Sequence, residues 1–108
     1  MRTLAVRLSE QAIRDLTEIG RFIADLSGST DVALGFTDRI KARCMKIGNA
    51  PRGGVARSDL GEGIRLVPFE RSTVILYRIF DAEIVVVNVF YGGKDYASIM
   101  GGAQDDDL

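Results

Sequence analysis

Apolar positions in this chain follow two periods. In TLAVRLS, residues 3–9, they alternate, which predicts a short strand whose side chains point to opposite faces in turn. The spacing then changes to three and four: Ala12, Ile13, Leu16, Ile19, Ile23 and Leu26 fall on one helical face. Asp15, Glu18, Arg21 and Asp25 fall largely elsewhere. Ser9 suits an N-cap, because its hydroxyl can accept from an orphan amide of the first turn. SGST (residues 27–30) ends that helix, and Ser29 or Thr30 can cap a second. Its apolar face runs Ala33, Phe36, Ile40, Cys44 and Ile47, with Arg39, Lys41, Arg43 and Lys46 mostly off it. Gly48 and Asn49 suit a left-handed helix end, and Pro51 prevents continuation. So short a connection predicts an antiparallel helical hairpin.

After the Gly-rich loop APRGGVARSDLGEG the period returns to two. IRLVPF (residues 64–69) predicts a strand that Pro68 ends or confines to a sheet edge. STVILYRIF and EIVVVNVFY, rich in β-branched and aromatic residues, predict a hairpin turning at Asp81–Ala82. GGKDYASIMGG then forms a short turn or helical stub, and AQDDDL an acidic tail. The order β-α-α-β-β-β predicts an α+β two-layer domain, a helical hairpin packed on one face of an antiparallel sheet. One domain would cover residues 1–100, with a flexible tail over 101–108.

Composition removes whole classes of chemistry. The 108 residues contain no histidine, so the commonest general base and the commonest metal ligand are both missing. The single cysteine, Cys44, sits on an apolar helix face and reads as a small core hydrophobe. With no metal-binding motif and no GxxxxGK[ST] phosphate loop, neither a metal nor a cofactor is expected. No run is long enough to cross a bilayer and the start lacks signal-peptide features, so a cytoplasmic, membrane-free protein is expected.

The net charge of −1 conceals an uneven distribution. Residues 1–38 carry −2, residues 39–78 carry +6 and residues 79–108 carry −5. A basic middle third either faces an acidic partner or nucleic acid, or merely solvates helix and loop surfaces. Within it, Arg78 lies between Leu76 and Phe80 on one strand face. It reads first as a structural anchor paired with Asp59, Glu62 or Asp81, and second as a contact to an anionic partner. The exit of the last strand, YGGKDY, offers Tyr91, Lys94 and Tyr96 as acid/base or anion-stabilising groups.

Three ordered motifs carry a family resemblance: PRGG…RSDL…GIR from Pro51 to Arg65, ILYR from Ile75 to Arg78, and YGGKD from Tyr91 to Asp95. Together with the preceding strand and helical hairpin, they resemble the ParE branch of the RelE/ParE superfamily of type II toxin–antitoxin toxins, over residues 3–99. That resemblance implies a non-enzymatic toxin that inhibits DNA gyrase by stabilising its cleavage complex with DNA. It also implies a cognate antitoxin, bound as a hetero-oligomer on the exposed side of the helical hairpin and a free sheet edge. The basic middle third would suit an acidic antitoxin tail.

Departures from the pattern bear on the branch. At positions where RelE-type ribosome-dependent mRNA endoribonucleases carry basic sheet residues, this chain has Arg65, Val67 and Val74. Asp95 replaces their post-strand arginine, and the Gly101 region replaces their C-terminal tyrosine. A ribonuclease would therefore rely on Arg65, Tyr91 and Lys94. The family's usual histidine is Tyr91 here, and one of its arginines is Gly93. Arg57, Arg65, Arg71, Tyr91, Lys94 and Tyr96 are the candidate target-binding residues. A degenerate, non-toxic antitoxin-binding protein is the remaining alternative.

Overall fold

The computed structural model describes residues 3–70, 72–94 and 96–105, with the backbone alone described from 101 onward. The chain forms β1 (Ala5–Leu8), α1 (Glu10–Ser27), α2 (Thr30–Lys46), β2 (Val55–Ala56), β3 (Arg65–Phe69), β4 (Thr73–Phe80), β5 (Glu83–Tyr91) and α3 (Tyr96–Asp105). Short 3₁₀ turns at Ile47–Asn49 and Ser58–Leu60 flank β2. The helical stub is thus a ten-residue helix. Residues 106–108 of the acidic tail lie outside the described residues.

Local signals act as their chemistry requires. The Ser9 hydroxyl accepts from the Ala12 amide at 3.0 Å and donates to the Val87 carbonyl at 2.9 Å, so one side chain caps α1 and ties it to β5. Gly28, at φ 70°, closes α1 in the left-handed region, and Ser29 rather than Thr30 caps α2. Gly48 has a different role from the one expected. α2 passes directly into a 3₁₀ turn there, and a Cβ at Gly48 would stand 2.1 Å from the Leu4 carbonyl oxygen. Gly48 is a close-approach position, with its own carbonyl accepting from the Leu4 amide at 3.0 Å.

The sheet order is β1-β5-β4-β3-β2. Strands β2 to β5 are antiparallel, as expected, but β1 runs parallel to β5, with Ala5 opposite Glu83 and Leu8 opposite Val86, so the sheet is mixed. Hydrophobic alternation specifies faces; it does not specify partner or direction. Strand β2 reaches only Arg65 and Leu66 of β3, so Pro68 stands beyond β2, at an edge where no amide donor is needed.

Helices α1 and α2 cover one face of the sheet. Leu16, Ile19, Ile23, Phe36, Ile40 and Cys44 pack there against Ile75, Tyr77, Ile84, Val86 and Val89. The opposite face holds a second cluster, Leu60, Ile64, Leu66, Leu76 and Phe90, covered in part by Tyr96 and Met100 of α3. Ile13 and Leu26, expected on the inner face of α1, are 52% and 71% exposed. The sheet contacts a narrower stripe than the six apolar positions span.

Where β1 ends, α1 takes over the edge of β5. An Asp15 carboxylate oxygen accepts from the Val89 amide at 2.9 Å and from the Asn88 side chain at 3.4 Å, beside a register shift between β4 and β5. Asp15→Ala would leave the Val89 amide unanswered, so it is expected to lower stability by about 1–2 kcal/mol. Urea unfolding of the two proteins measures the difference.

Cys44 is fully enclosed, and burial, opposed only by the nearby Arg43 charge, pushes its thiol up to about 11. Because the folded value lies above the unfolded one, this contribution is intact below about pH 9 and is lost as pH rises towards 11. The fall in stability over that window should shrink in Cys44→Ala, as thermal melts across the range would show. At pH 8 a thiol reagent should label native Cys44 no faster than the chain opens.

Candidate functional site

The sequence-predicted site residues separate into three places. Arg65 is committed to the backbone: its Nη1 donates to the Gly54 carbonyl at 2.7 Å and the Arg52 carbonyl at 3.2 Å. Beside it the buried Tyr77 hydroxyl donates to the Pro51 carbonyl at 2.7 Å and accepts from the Gly54 amide at 2.9 Å. Together these side chains pin the Pro51–Gly54 turn onto the sheet. Gly54 is required, because a Cβ would stand 2.7 Å from the Tyr77 hydroxyl.

Tyr91 sits under the helices. Its ring lies 5.8 Å from that of Phe22 in α1 and 5.5 Å, edge-on, from that of Phe36 in α2. The Arg39 guanidinium covers Phe36 at 5.4 Å and pairs with Glu70 at 2.9 and 3.1 Å, holding the β3–β4 turn to α2. That fork keeps the Glu70 carboxyl below its ordinary range. Tyr91 and Lys94 line a cavity of about 370 Å³ with Asp15, Glu18, Ile19 and Phe22.

Arg57 and Tyr96 meet on the opposite face of the sheet. Arg57 forks onto Asp59 at 2.8 Å through two bonds, and its guanidinium lies 6.0 Å from the Tyr96 ring centre. Tyr96 stacks in turn on Phe90 at 6.1 Å. The Asp59 and then the Tyr96 hydrogen bonds raise Arg57 above its ordinary pKa, and Arg57 lowers Asp59. Arg71 lies outside the described residues.

These placements keep Arg65 apart from Tyr91 and Lys94, the other two groups that a ribonuclease would need. Phe69 is opposite Thr73, and Thr73 opposite Tyr91. Arg65 therefore stands two strands from Tyr91 and about 13 Å further along the strand direction, at ~3.3 Å per residue. Concerted acid–base chemistry needs groups within hydrogen-bond reach of a common reacting atom. Among the described residues there is likewise no cluster of three or more His, Cys, Asp or Glu that could hold a metal ion.

Arg78 forms none of the ion pairs found among the described residues: Asp59 is held by Arg57 instead, and Arg78 Nε is buried with no hydrogen-bond partner among them. The exposed side of the helical hairpin, expected as a docking surface, carries an apolar groove of about 650 Å³ between α1 and α2, beside the edge strand β1, whose lining residues sequence reasoning did not single out. Ile13, Gly20, Ala33 and Leu34 line it, with Arg21 and Lys41 among its polar residues. Its sequence signal was Leu34, an apolar residue off the inner face of α2 and 57% exposed.

A sequence profile of the ParE toxin of the type II toxin–antitoxin system parDE matches residues 6–96. The chain belongs to the ParE toxin family. No curated protein matches it. Solved structures share the fold. A chain of the chromosomal ParDE system of P. aeruginosa aligns at 20% identity with a TM-score of 0.72, covering 82% of this chain and 96% of that one. A mutant of the E. coli toxin RelE in the free state aligns at 10% identity with a TM-score of 0.62, covering 94% and 97%. A chain of the toxin–antitoxin complex RelBE2 from Mycobacterium tuberculosis aligns at 20% identity with a TM-score of 0.56, covering 87% and 97%. As in those toxins, two helices pack on a sheet, here of five strands. No described helix of this ParE-family chain is long and apolar enough to cross a membrane.

Proposed function

We propose that this ParE-family toxin is a non-enzymatic inhibitor of DNA gyrase that acts in the cytoplasm by stabilising the cleaved gyrase–DNA complex. The observation that supports the non-enzymatic reading is the distance of Arg65 from the cavity that Tyr91 and Lys94 share, with Arg65 spent on two backbone carbonyls. Tyr91 and Lys94 on one face of the sheet, and Arg57 and Tyr96 on the other, then serve as surface from which a target is recognised.

The cognate antitoxin neutralises it by laying an amphipathic helix into the α1–α2 groove. The apolar groove supplies the burial, and Arg21 and Lys41 favour an acidic segment. Expression of the chain alone in cells carrying a DNA-damage reporter tests the pair of statements. Induction of the reporter and growth arrest, both reversed by co-expressing the antitoxin, are expected. Growth arrest with mRNA cut at ribosomes and a silent reporter would instead make the chain a RelE-like endoribonuclease. Harmless expression with tight antitoxin binding would make it a degenerate, antitoxin-binding protein.

A further inference from the structure

Arg78 holds a partly buried positive charge that no described carboxylate neutralises. It projects from β4 on the face opposite α1 and α2, between Leu76 and Phe80, with Val85 opposite it in register. Arg7, on β1 at the far side of Val85, is already held by Glu83 at 3.1 Å, and Arg57 is held by Asp59 at 2.8 Å. Gly61 closes over one side of the guanidinium: a Cβ there would lie 3.2 Å from Arg78 Nη2, and its φ of 148° further disfavours a side chain. The loop is built to accommodate this cation, yet its Nε has no acceptor among the described residues. Desolvated guanidinium donors are stabilised when an anion answers them, best through the paired geometry of a carboxylate.

We propose that Arg78 receives a carboxylate from an acidic residue of the antitoxin, in a segment whose neighbouring apolar side chain covers Phe80. The assignment rests on the antitoxin reading above. Phe80, two residues along on the same face, is 47% exposed and offers the apolar half of such a contact. A nucleic-acid strand fits this surface less well. A run of phosphates needs several unengaged cations, whereas Arg7 and Arg57 are each paired. Glu62, beside Gly61, and Asp81, beside Phe80, are exposed and would repel a polyanion.

The test measures antitoxin affinity by calorimetry for the full chain, Arg78→Lys and Arg78→Gln, with a thermal melt of each. Arg78→Gln is expected to weaken binding at least about tenfold, with a smaller loss for Arg78→Lys, which keeps the charge but not the fork. One antitoxin Asp→Asn or Glu→Gln substitution should reproduce the Arg78→Gln loss and add nothing to it in the double variant. Should the variants unfold, the nitrogen-15 signal of Arg78 Nε–H in the unaltered chain provides the readout. It should move when antitoxin is added and stay fixed when duplex DNA is added.

Folded Arg78→Gln with affinity within twofold of the parent would overturn the proposal. So would an Nε–H signal that ignores the antitoxin or answers to DNA, or losses that add for every antitoxin carboxylate. Replacing Asp95 by Asn, and separately Asp105, Asp106 and Asp107 by Asn, covers the chain's carboxylates whose side chains lie outside the described residues: if either change shifts the Nε–H signal of the isolated chain, the anion is the chain's own and the proposal falls. A parent chain that binds no antitoxin at all refutes the functional reading itself. Binding that Leu34→Asp abolishes and Arg78→Gln leaves intact refutes only the role of Arg78.

Discussion

Leu34→Asp is expected to weaken antitoxin binding by about a hundredfold or more while leaving the thermal midpoint almost unchanged. Leu34 lies on the outward side of α2, 57% exposed, so the substitution removes little from the core. In the complex its side chain would fill the floor of the α1–α2 groove. Losing a buried leucine forfeits roughly 1.5–3 kcal/mol of apolar burial. A carboxylate enclosed in its place, facing an acidic partner, adds a desolvation and repulsion penalty. A hundredfold corresponds to about 2.7 kcal/mol, which the lost burial and the enclosed charge together exceed. In cells the variant should be toxic even with the antitoxin co-expressed. Ile13→Asp, across the same groove, should behave alike, whereas Lys41→Ala at the rim should change affinity only a few-fold.

Gly48→Ala should produce a larger stability loss than alanine at any other described glycine. The added carbon would stand 2.1 Å from the Leu4 carbonyl oxygen and 3.2 Å from a Val6 methyl, and the first of these is backbone. Relief requires β1 to move away from the 3₁₀ turn, breaking the 3.0 Å bond from the Leu4 amide to the Gly48 carbonyl. Overpacking of this kind costs about 3 kcal/mol. For a domain of this size that lowers the midpoint by roughly 10–20 °C. Gly63→Ala is a useful contrast: no atom lies within 4 Å of its Cβ position, and only its φ of 76° opposes the change. It should cost about 1 kcal/mol.

What was legible in the sequence was what is local. Ser9, Ser29 and Gly28 act within one turn of themselves, and the Asp81–Ala82 reversal follows from two β-branched runs on either side of it. The same holds for the core faces of α1 and α2, apart from Ile13 and Leu26. Partnerships across the chain were not legible. The parallel pairing of β1 with β5, the Asp15 carboxylate at Val89, and Arg39 on Glu70 join residues 31 to 78 positions apart. No period in the sequence encodes such pairs. The two-residue β2 is too short to carry an alternation. Tyr91 shows the same division. Its place at the end of the last strand was read correctly, but its burial against Phe22 and Phe36 depends on two helices some 50 to 70 residues earlier. The candidate residues come from two stretches, 57–71 and 91–96; the fold brings Arg57 to Tyr96 on one face of the sheet and leaves Tyr91 and Lys94 in a cavity beside α1.

The central claim, that the chain poisons gyrase without catalysing a reaction of its own, is tested most directly with purified components. Gyrase, relaxed plasmid, ATP and increasing amounts of the chain are incubated, the reaction is stopped with detergent and protease, and linear DNA is measured. Supercoiling should be lost, with linear DNA that rises with toxin and disappears when antitoxin is added first. Unchanged gyrase activity, together with cleavage of ribosome-bound mRNA by the same preparation, would contradict it.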